Sequence, residues 1–350
     1  MSAQANSEIK IKFLSKYKPG HDGEGWLKMF PSNTPRWGNC YFIFDRHCRD
    51  YDWLVVYDDL PSVAGERHPL WEEALACNPR HTLLITTEPS SIKVYGKAYL
   101  KQYQWVLSSQ ESWALGHHPG QIFEQPALIW FYADTPPRCD YDTILSHVPT
   151  AKTLDVSTVC SSKRQGNTLH RTRYDFTQAL KALLPQLDIY GHGVRPLVDK
   201  ADALDDYRYH LAIENFSGPH HWTEKLSDAF LGGCLPFYYG CTNLNDYFPA
   251  DSFVLIDIND PEKTAKLLQQ AIQENWYEKR LPAILQSRRL VLEKYGTIAT
   301  ITRLVNERHS ASESRSVDQK TTIKSRRRTN KNPINAIHYL LEKQINRLKN

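Results

Sequence analysis

Residues 214–239 read ENFSGPHHWTEKLSDAFLGGCLPFYY. The stretch opens with Gly, Pro, Ser and paired His, a composition that regular helix does not tolerate. A helix then starts at Thr223-Glu224-Lys225, with Thr223 as N-cap and Leu226, Ala229 and Phe230 as its apolar stripe. Gly232 and Gly233 stop it, and Leu235 to Tyr239 follow as a short apolar, aromatic strand. A polar loop thus feeds a helix N-terminus beside a buried strand, where α/β folds bind ligands. Free amides at a helix start, with a Lys in the first turn, suit a phosphate. The same residues also suit a capped surface helix, with Glu224 and Lys225 as solvated charges.

Glu214-Asn215, then Thr223-Glu224-Lys225, the helix and LPFYYG together resemble the donor-site motif of the fucosyltransferases of glycosyltransferase family 10. Asp246 to Ile258, DYFPADSFVLIDI, continues the match. The similarity is dense over residues 150–305 and thinner before them. It implies an α/β chain of GT-B type, with two Rossmann-like domains facing a central cleft and the donor in the C-terminal one. It also implies transfer of L-fucose from GDP-fucose to a sugar hydroxyl with inversion, so that one base and a direct displacement suffice.

Composition sets the frame. The chain has 350 residues, enough for two domains, and its 41% hydrophobic and 23% charged residues are ordinary globular values. A net charge of +4 makes no case for nucleic acid. Seven scattered Cys, an odd number with no CxxC spacing, argue against a zinc site or a disulfide framework and for reduced thiols in a cytosolic protein. Residues 1–20 lack an apolar core like that of a signal peptide. No run of about 18 apolar residues predicts a transmembrane helix. Animal members of the family carry an N-terminal anchor; this chain resembles the soluble or peripheral bacterial kind. The expected location is the cytoplasm, with peripheral attachment to the inner face of the membrane left open.

Strands are expected at Ile9–Leu14, Tyr41–Phe44, Trp53–Val56, Leu83–Thr87 and Trp105–Leu107, with a helix at Tyr95–Tyr103. Strands alternating with helices argue for a parallel α/β domain over residues 1–150. Pro89 sets Glu88 just past a strand end, where such a domain keeps its chemistry. Thr87-Glu88-Pro89 also resembles the family's N-terminal acidic motif, which implies Glu88 as the catalytic base; Glu111, after the next strand, is the rival. A turn carboxylate exposed to water is the plainer reading of either.

The second domain is expected over residues 151–306. Thr153–Cys160 begins it, and a basic loop with Lys163, Arg164, His170, Arg171 and Arg173 leads to a helix at 174–184. The resemblance implies an Arg at the head of this helix on the donor diphosphate; matching Phe176 and Leu180 sets it at Arg173, with Arg171 one register back. Leu187–Gly191 is expected as a strand and turn, Leu204–Tyr209 as a short helix, and Leu211–Ile213 as a strand. Residues 261–275 and 278–294 read as amphipathic helices, and Thr297–Val305 closes the fold.

A fucosyl transition state develops charge on the leaving GDP, so cations and amides must face the phosphates. Lys225, Arg173 and the helix start at Thr223 supply them without a metal. A divalent cation would then be a non-essential stimulant, and no cofactor beyond the GDP-fucose substrate is required. The resemblance implies that Glu224 and Asn215 accept or donate hydrogen bonds to donor hydroxyls. Phe216 stands where the family has Ser, His221 where a Tyr lies against the nucleotide, and Trp222 where a small aliphatic residue is usual. His221 can still stack and hydrogen-bond. The pairs His117-His118 and His220-His221 lack the spacing of metal ligands.

Residues 307–350 form the tail. Ser, Thr, Lys and Arg dominate to Asn332 and predict a flexible linker. Pro333 to Leu348 then reads as an amphipathic helix with Ile334, Ile337, Leu340, Leu341, Ile345 and Leu348 on its apolar face. A basic linker before such a helix suits an anionic membrane surface; docking on the protein itself or on a neighbour stays open. The expected task is α-1,3 fucosylation of an acceptor oligosaccharide or glycolipid, such as lipopolysaccharide. The rivals are the same fold with another nucleotide sugar, and a degenerate glycan- or nucleotide-binding protein.

Overall fold

The computed structural model describes residues 8–16, 24–62, 65–136, 139–161, 169–310 and 321–349. The chain splits into two compact units, Met1–Ala127 with Ile298–Asn350, and Leu128–Thr297. The first unit begins with β1 (Ile9–Ser15), α1 (Glu24–Leu27), β2 (Arg36–Trp37), β3 (Cys40–Ile43), β4 (Trp53–Tyr57), β5 (Glu72–Ala74), β6 (Thr82–Ile85), α2 (Lys97–Leu100), β7 (Trp105–Ser108) and β8 (Gln121–Phe123). The second comprises α3 (Tyr141–Ser146), β9 (Leu154–Val159), α4 (His170–Leu183), β10 (Asp188–Tyr190), β11 (Tyr207–Gly218), α5 (Glu224–Leu231), β12 (Leu235–Cys241), β13 (Val254–Leu255), α6 (Pro261–Gln273) and α7 (Trp276–Leu290). The chain returns to the first with α8 (Thr297–Arg308), β14 (Thr322–Lys324), α9 (Arg326–Thr329) and α10 (Pro333–Lys349).

The fold is α/β, as expected, with a mainly parallel sheet in each unit. The first sheet has the order β2-β3-β1-β4-β6-β7-β8, antiparallel only between β2 and β3. The second has the order β10-β9-β11-β12-β13 and is parallel throughout. Every residue of β4 and β6 is buried, which is what an interior parallel strand covered on both faces requires. Lys12 survives fully buried in β1 because its Nζ pairs with Glu73 at 2.8 Å and donates to the carbonyls of Arg46 and Cys48.

Three expectations need correction. The helix expected at Leu204–Tyr209 is instead a turn over 204–206 followed by the start of β11, where Tyr207 and Tyr209 pair with Leu154 and Val156 of β9. The helix at Tyr95–Tyr103 shortens to α2, preceded by Gly96 at φ +90°. The basic linker is not flexible over its described part, residues 321–332. There β14 pairs antiparallel with β5, and Ile323 is fully buried against Leu75, Tyr99 and Tyr103. One apolar side chain at the right register recruits this polar segment.

The units part at 127/128 and 297/298, where the sequence reading sets 150/151 and 306/307. Asp228 Oδ1 accepts the amides of Phe131 and Tyr132 at 2.8 and 3.0 Å, and Arg288 donates to the carbonyls of Ile144 and His147. Those bonds fasten residues 128–150 to the second unit. At the other end, Asn306 bonds Asn39 and Arg303 pairs with Glu124, holding α8 to the first.

Candidate active site

The stretch 214–239 folds as its local chemistry predicts. β11 carries Glu214 and Asn215, and the chain turns into α5 through Thr223, whose Oγ1 accepts from the amide of Lys225 at 3.3 Å. Glu214, fully buried, accepts from the Thr223 amide at 2.8 Å and from its hydroxyl at 2.6 Å, which locks the cap to the strand. Gly240 leaves the room: it has φ +153°, and a Cβ there would lie 2.4 Å from Glu214 Cγ.

Lys225 Nζ donates to Glu224 Oε1 at 2.9 Å and lies 3.6 Å from Glu214 Oε2. Burial works against its charge, but Glu224 and Glu214 raise its pKa above the ordinary value, so it stays a cation. Burial likewise opposes the charge on Glu224, and Lys225 followed by Lys200 overcomes it, holding that carboxyl at about 2. Glu214 is pushed up by burial, with Lys225 opposing. The side chains of Lys225 and Glu224 remain 21% and 23% exposed, so this ion pair faces an opening.

Arg173 stands on the inward face of α4 with Phe176, Thr177 and Leu180, and is 7% exposed. Its Nη1 donates to Asn215 Oδ1, and its Nη2 to the carbonyl of Val159 at 3.5 Å. Its Nε is buried with no hydrogen-bond partner among the described residues. A buried guanidinium paired to an amide, with a spare donor, has capacity for an anion. Arg171 instead points outward and pairs with Asp175 at 3.6 Å, its side chain 75% exposed. The loop residues Lys163 and Arg164 lie outside the described residues.

His221 is 3% exposed and its ring meets Phe216 edge to face at 5.2 Å. Burial, and then Lys225, lowers its pKa to about 4, so the imidazole is neutral at pH 7. Phe216 is only half-buried, so it rather than His221 offers a ring to the surface. Trp222 packs into Tyr247, Phe248 and Tyr295 and belongs to the core. Sequence reasoning overlooked Lys200 and Asp228, which pair at 2.6 Å beside this cluster. Asp228 is one helical turn on from Glu224, a spacing that could have flagged it; nothing local flags Lys200.

The structure therefore brings Arg173, Asn215, His221, Thr223, Glu224 and Lys225 into one electrostatic cluster in the second unit. Glu88 is in the first unit, three residues beyond β6, half-buried, with its carbonyl accepting from Gln110 Nε2 at 2.7 Å. Its rival Glu111 stands three residues beyond β7, the neighbouring parallel strand, so both occupy the same sheet edge. One Glu111 oxygen is buried without a hydrogen-bond partner among the described residues. No group of three His, Cys, Asp or Glu is placed to hold a metal ion among the described residues.

Residues 150–279 match the model of the glycosyltransferase family 10 (fucosyltransferase) C-terminal domain. A 4-galactosyl-N-acetylglucosaminide 3-alpha-L-fucosyltransferase 9 of Cricetulus griseus is 31% identical over 96 residues, 26% of this chain and 27% of its own. Its namesake of Mus musculus is 38% identical over 71 residues, 19% of this chain and 20% of its own. The chain thus spans about a quarter or less of the length of these curated relatives. A crystal structure of an alpha1,3-fucosyltransferase with GDP overlaps 85% of this chain and 94% of its own, at 16% identity and a TM-score of 0.44. The likeness to the family rests on the sequence match over the cluster just described. Over residues 150–279 this chain is thus similar to the C-terminal domain of glycosyltransferase family 10, the fucosyltransferases.

Proposed function

We propose that the protein is an inverting fucosyltransferase of GT-B type, moving L-fucose from GDP-fucose to a hydroxyl of an acceptor glycan. The observation that carries this reading is a pair of cations within the matched stretch, the buried Arg173 on α4 and the partly exposed Lys225 in the first turn of α5. The names of the relatives, alpha-L-fucosyltransferases, supply the sugar, and GDP as its carrier follows from the resemblance of the α5 stretch to the family's donor motif. In the proposed reaction the acceptor oxygen attacks C1 of fucose as the bond from C1 to the phosphate oxygen breaks. The electron pair leaves with GDP, where Arg173, Lys225 and the amides of α5 stabilise it. Glu88 takes the acceptor proton. Glu224 and Asn215 hold donor hydroxyls, and Phe216 over His221 forms the wall against the nucleotide. The half-buried Phe216 is also what keeps a second donor sugar in play, since it stands where the family has a small hydroxyl residue.

We assign the linkage as α-1,3 and the acceptor to a surface polysaccharide or lipopolysaccharide of a bacterium. No described helix is long and apolar enough to cross a membrane. The apolar side chains of α10, Ile334, Ile337, Leu340, Leu341, Ile345 and Leu348, are all more than half exposed, and Lys331, Lys343, Arg347 and Lys349 flank them. An exposed apolar stripe edged with cations fits an anionic bilayer surface. Leu341→Glu with Ile345→Glu should abolish partition into phosphatidylglycerol vesicles; undiminished partition refutes the attachment.

The base assignment is tested with Glu88→Gln, which should abolish transfer and leave GDP-fucose affinity intact. If affinity falls in step with activity, Glu88 is a binding group and Glu111→Gln becomes the decisive variant.

A further inference from the structure

The loop that carries Glu88 is held by the last helix of the chain. Asn346, buried in α10, donates from Nδ2 to the carbonyl of Ser90 at 2.7 Å. The Tyr339 hydroxyl donates to the carbonyl of Val94 at 3.3 Å, and Arg326 Nη1 donates to the same oxygen at 3.2 Å. Glu342 Oε2 accepts from the amide of Lys97 at 3.0 Å. Gly96 permits the approach, since a Cβ there would come within 3.0 Å of the Tyr339 ring. The tail thus reaches main-chain atoms at three points of the loop 88–97, two, six and nine residues beyond Glu88.

Further anchors of the loop come from its own sheet. Gln110 Nε2 donates to the carbonyls of Glu88 and Lys93 at 2.7 and 2.9 Å, and the Tyr95 hydroxyl accepts from the Thr87 amide at 2.8 Å. Tyr95 in turn donates to Asp58 Oδ1 at 2.8 Å, which also pairs with Lys93. Two sets of hydrogen bonds therefore hold the backbone around Glu88, one from the sheet edge and one from α10.

α10 docks in an unusual sense. Asn335, Ala336, Tyr339, Glu342 and Asn346 are its less exposed positions, while its large aliphatic residues are exposed. A cavity of about 240 Å³ remains in this interface, lined by Lys97, Lys101, Asn330, His338, Tyr339 and Glu342. Hydrogen bonds rather than apolar burial hold this helix in place.

We propose that α10 is a latch on the loop 88–97, with Asn346 and Tyr339 as positioning residues for Glu88. The proposal rests on the reading of Glu88 as base. A general base must sit within hydrogen-bond reach of the proton it takes, so a shift of this backbone costs turnover without touching the donor residues on α4, β11 and α5.

The test uses the full chain with Asn346→Ala and, separately, Tyr339→Phe, which removes one hydroxyl and keeps the ring. Three quantities are read: amide exchange of residues 88–97, kcat with saturating GDP-fucose, and GDP affinity. The expected result for Asn346→Ala is exchange faster by about tenfold within 88–97, kcat lower by about ten- to a hundredfold, and GDP affinity unchanged. Tyr339→Phe should move the first two in the same direction by less. Wild-type exchange and kcat in both variants, with Glu88→Gln inactive, overturns the latch and leaves the base assignment standing. A fall in GDP affinity that parallels kcat overturns it too, since a general folding role is then enough. Should Asn346→Ala fail to fold, Tyr339→Phe decides: wild-type kcat overturns the proposal. Transfer that survives Glu88→Gln ends the base reading and this role for α10 with it, whatever the exchange shows.

Discussion

Lys225 is the residue on which the proposed donor site turns. It is the cation held by two carboxylates yet still open at the head of α5. Lys225→Ala should lower transfer by about 2–4 kcal/mol in the barrier, the usual scale for one transition-state charge partner; a steady-state assay showing near-normal turnover contradicts the phosphate role. Two buried histidines give the second unit a pH dependence. His210 bonds Ser157 Oγ through Nδ1 at 2.8 Å, and burial, then Lys200 and Lys152, lowers its pKa from 6.5 to about 3. As pH falls, the unfolded chain takes up this proton first, so the stability is intact above about 6.5 and is lost progressively down to about 3. At pH 5 His210 alone costs about 2 kcal/mol, and His221 adds in the same direction. Melting curves from pH 8 to pH 5 should slope downwards, and His210→Asn should flatten the slope; an unchanged slope refutes the assignment. At this scale much was readable beforehand. Helix phase separates Arg173 from Arg171 because the inward face of α4 is apolar and repeats every three to four residues. Lys200 was not readable, since its partner Asp228 is 28 residues away and only the fold joins them.

At the level of elements, the strand–turn–helix from β11 through α5 to β12 follows from its own sequence. Its cap, its stop and its aromatic strand are all local signals, and each is where local chemistry sets it. What local chemistry does not show is how closely Glu214 and Gly240 pack. Gly240→Ala should therefore displace Glu214 and the cap it holds, costing about 1–3 kcal/mol of stability, as overpacking does, together with GDP affinity. A variant that melts and binds GDP like the wild type would contradict this packing. The tail was the element least legible in advance. Its composition is that of a solvated linker, and long-range contacts give it structure: the pairing of β14 with β5, the burial of Ile323, and bonds from Ser325 to the carbonyl of Pro69 and from the Arg326 amide to Asp59. α10 was visible as an amphipathic helix, but periodicity does not say which face docks. Here the polar face does, because backbone carbonyls of the loop 88–97 offer acceptors to Asn346 and Tyr339.

For the whole molecule, the α/β class was readable from alternating strands and helices, but the limits of the units were not. Residues 128–150 look like a connector, yet backbone bonds to Asp228 and Arg288 make them part of the second unit. The return of the chain after residue 297 gives the first unit α8, β14 and α10. Removing residues 309–350 should therefore do more than release a tail: it uncovers the core around Leu75, Tyr99 and Tyr103 that Ile323 closes. The truncated protein should aggregate or melt at least about 5 °C lower, a shift of the size expected for losing a kcal/mol or more, and an unchanged melting curve would show the segment to be dispensable.

The central claim is a GDP-fucose site on the second unit, and a melting panel with GDP, GDP-fucose, GDP-mannose, UDP-galactose and CMP-sialic acid tests it most directly. A ligand at a hundred times its Kd adds about 2.7 kcal/mol to the folded state, well within reach of a melt. Stabilisation by GDP and GDP-fucose, lost in Lys225→Ala and kept in Glu88→Gln, is the predicted result. Stabilisation by the UDP or CMP sugar alone, or by none of the five, would contradict it.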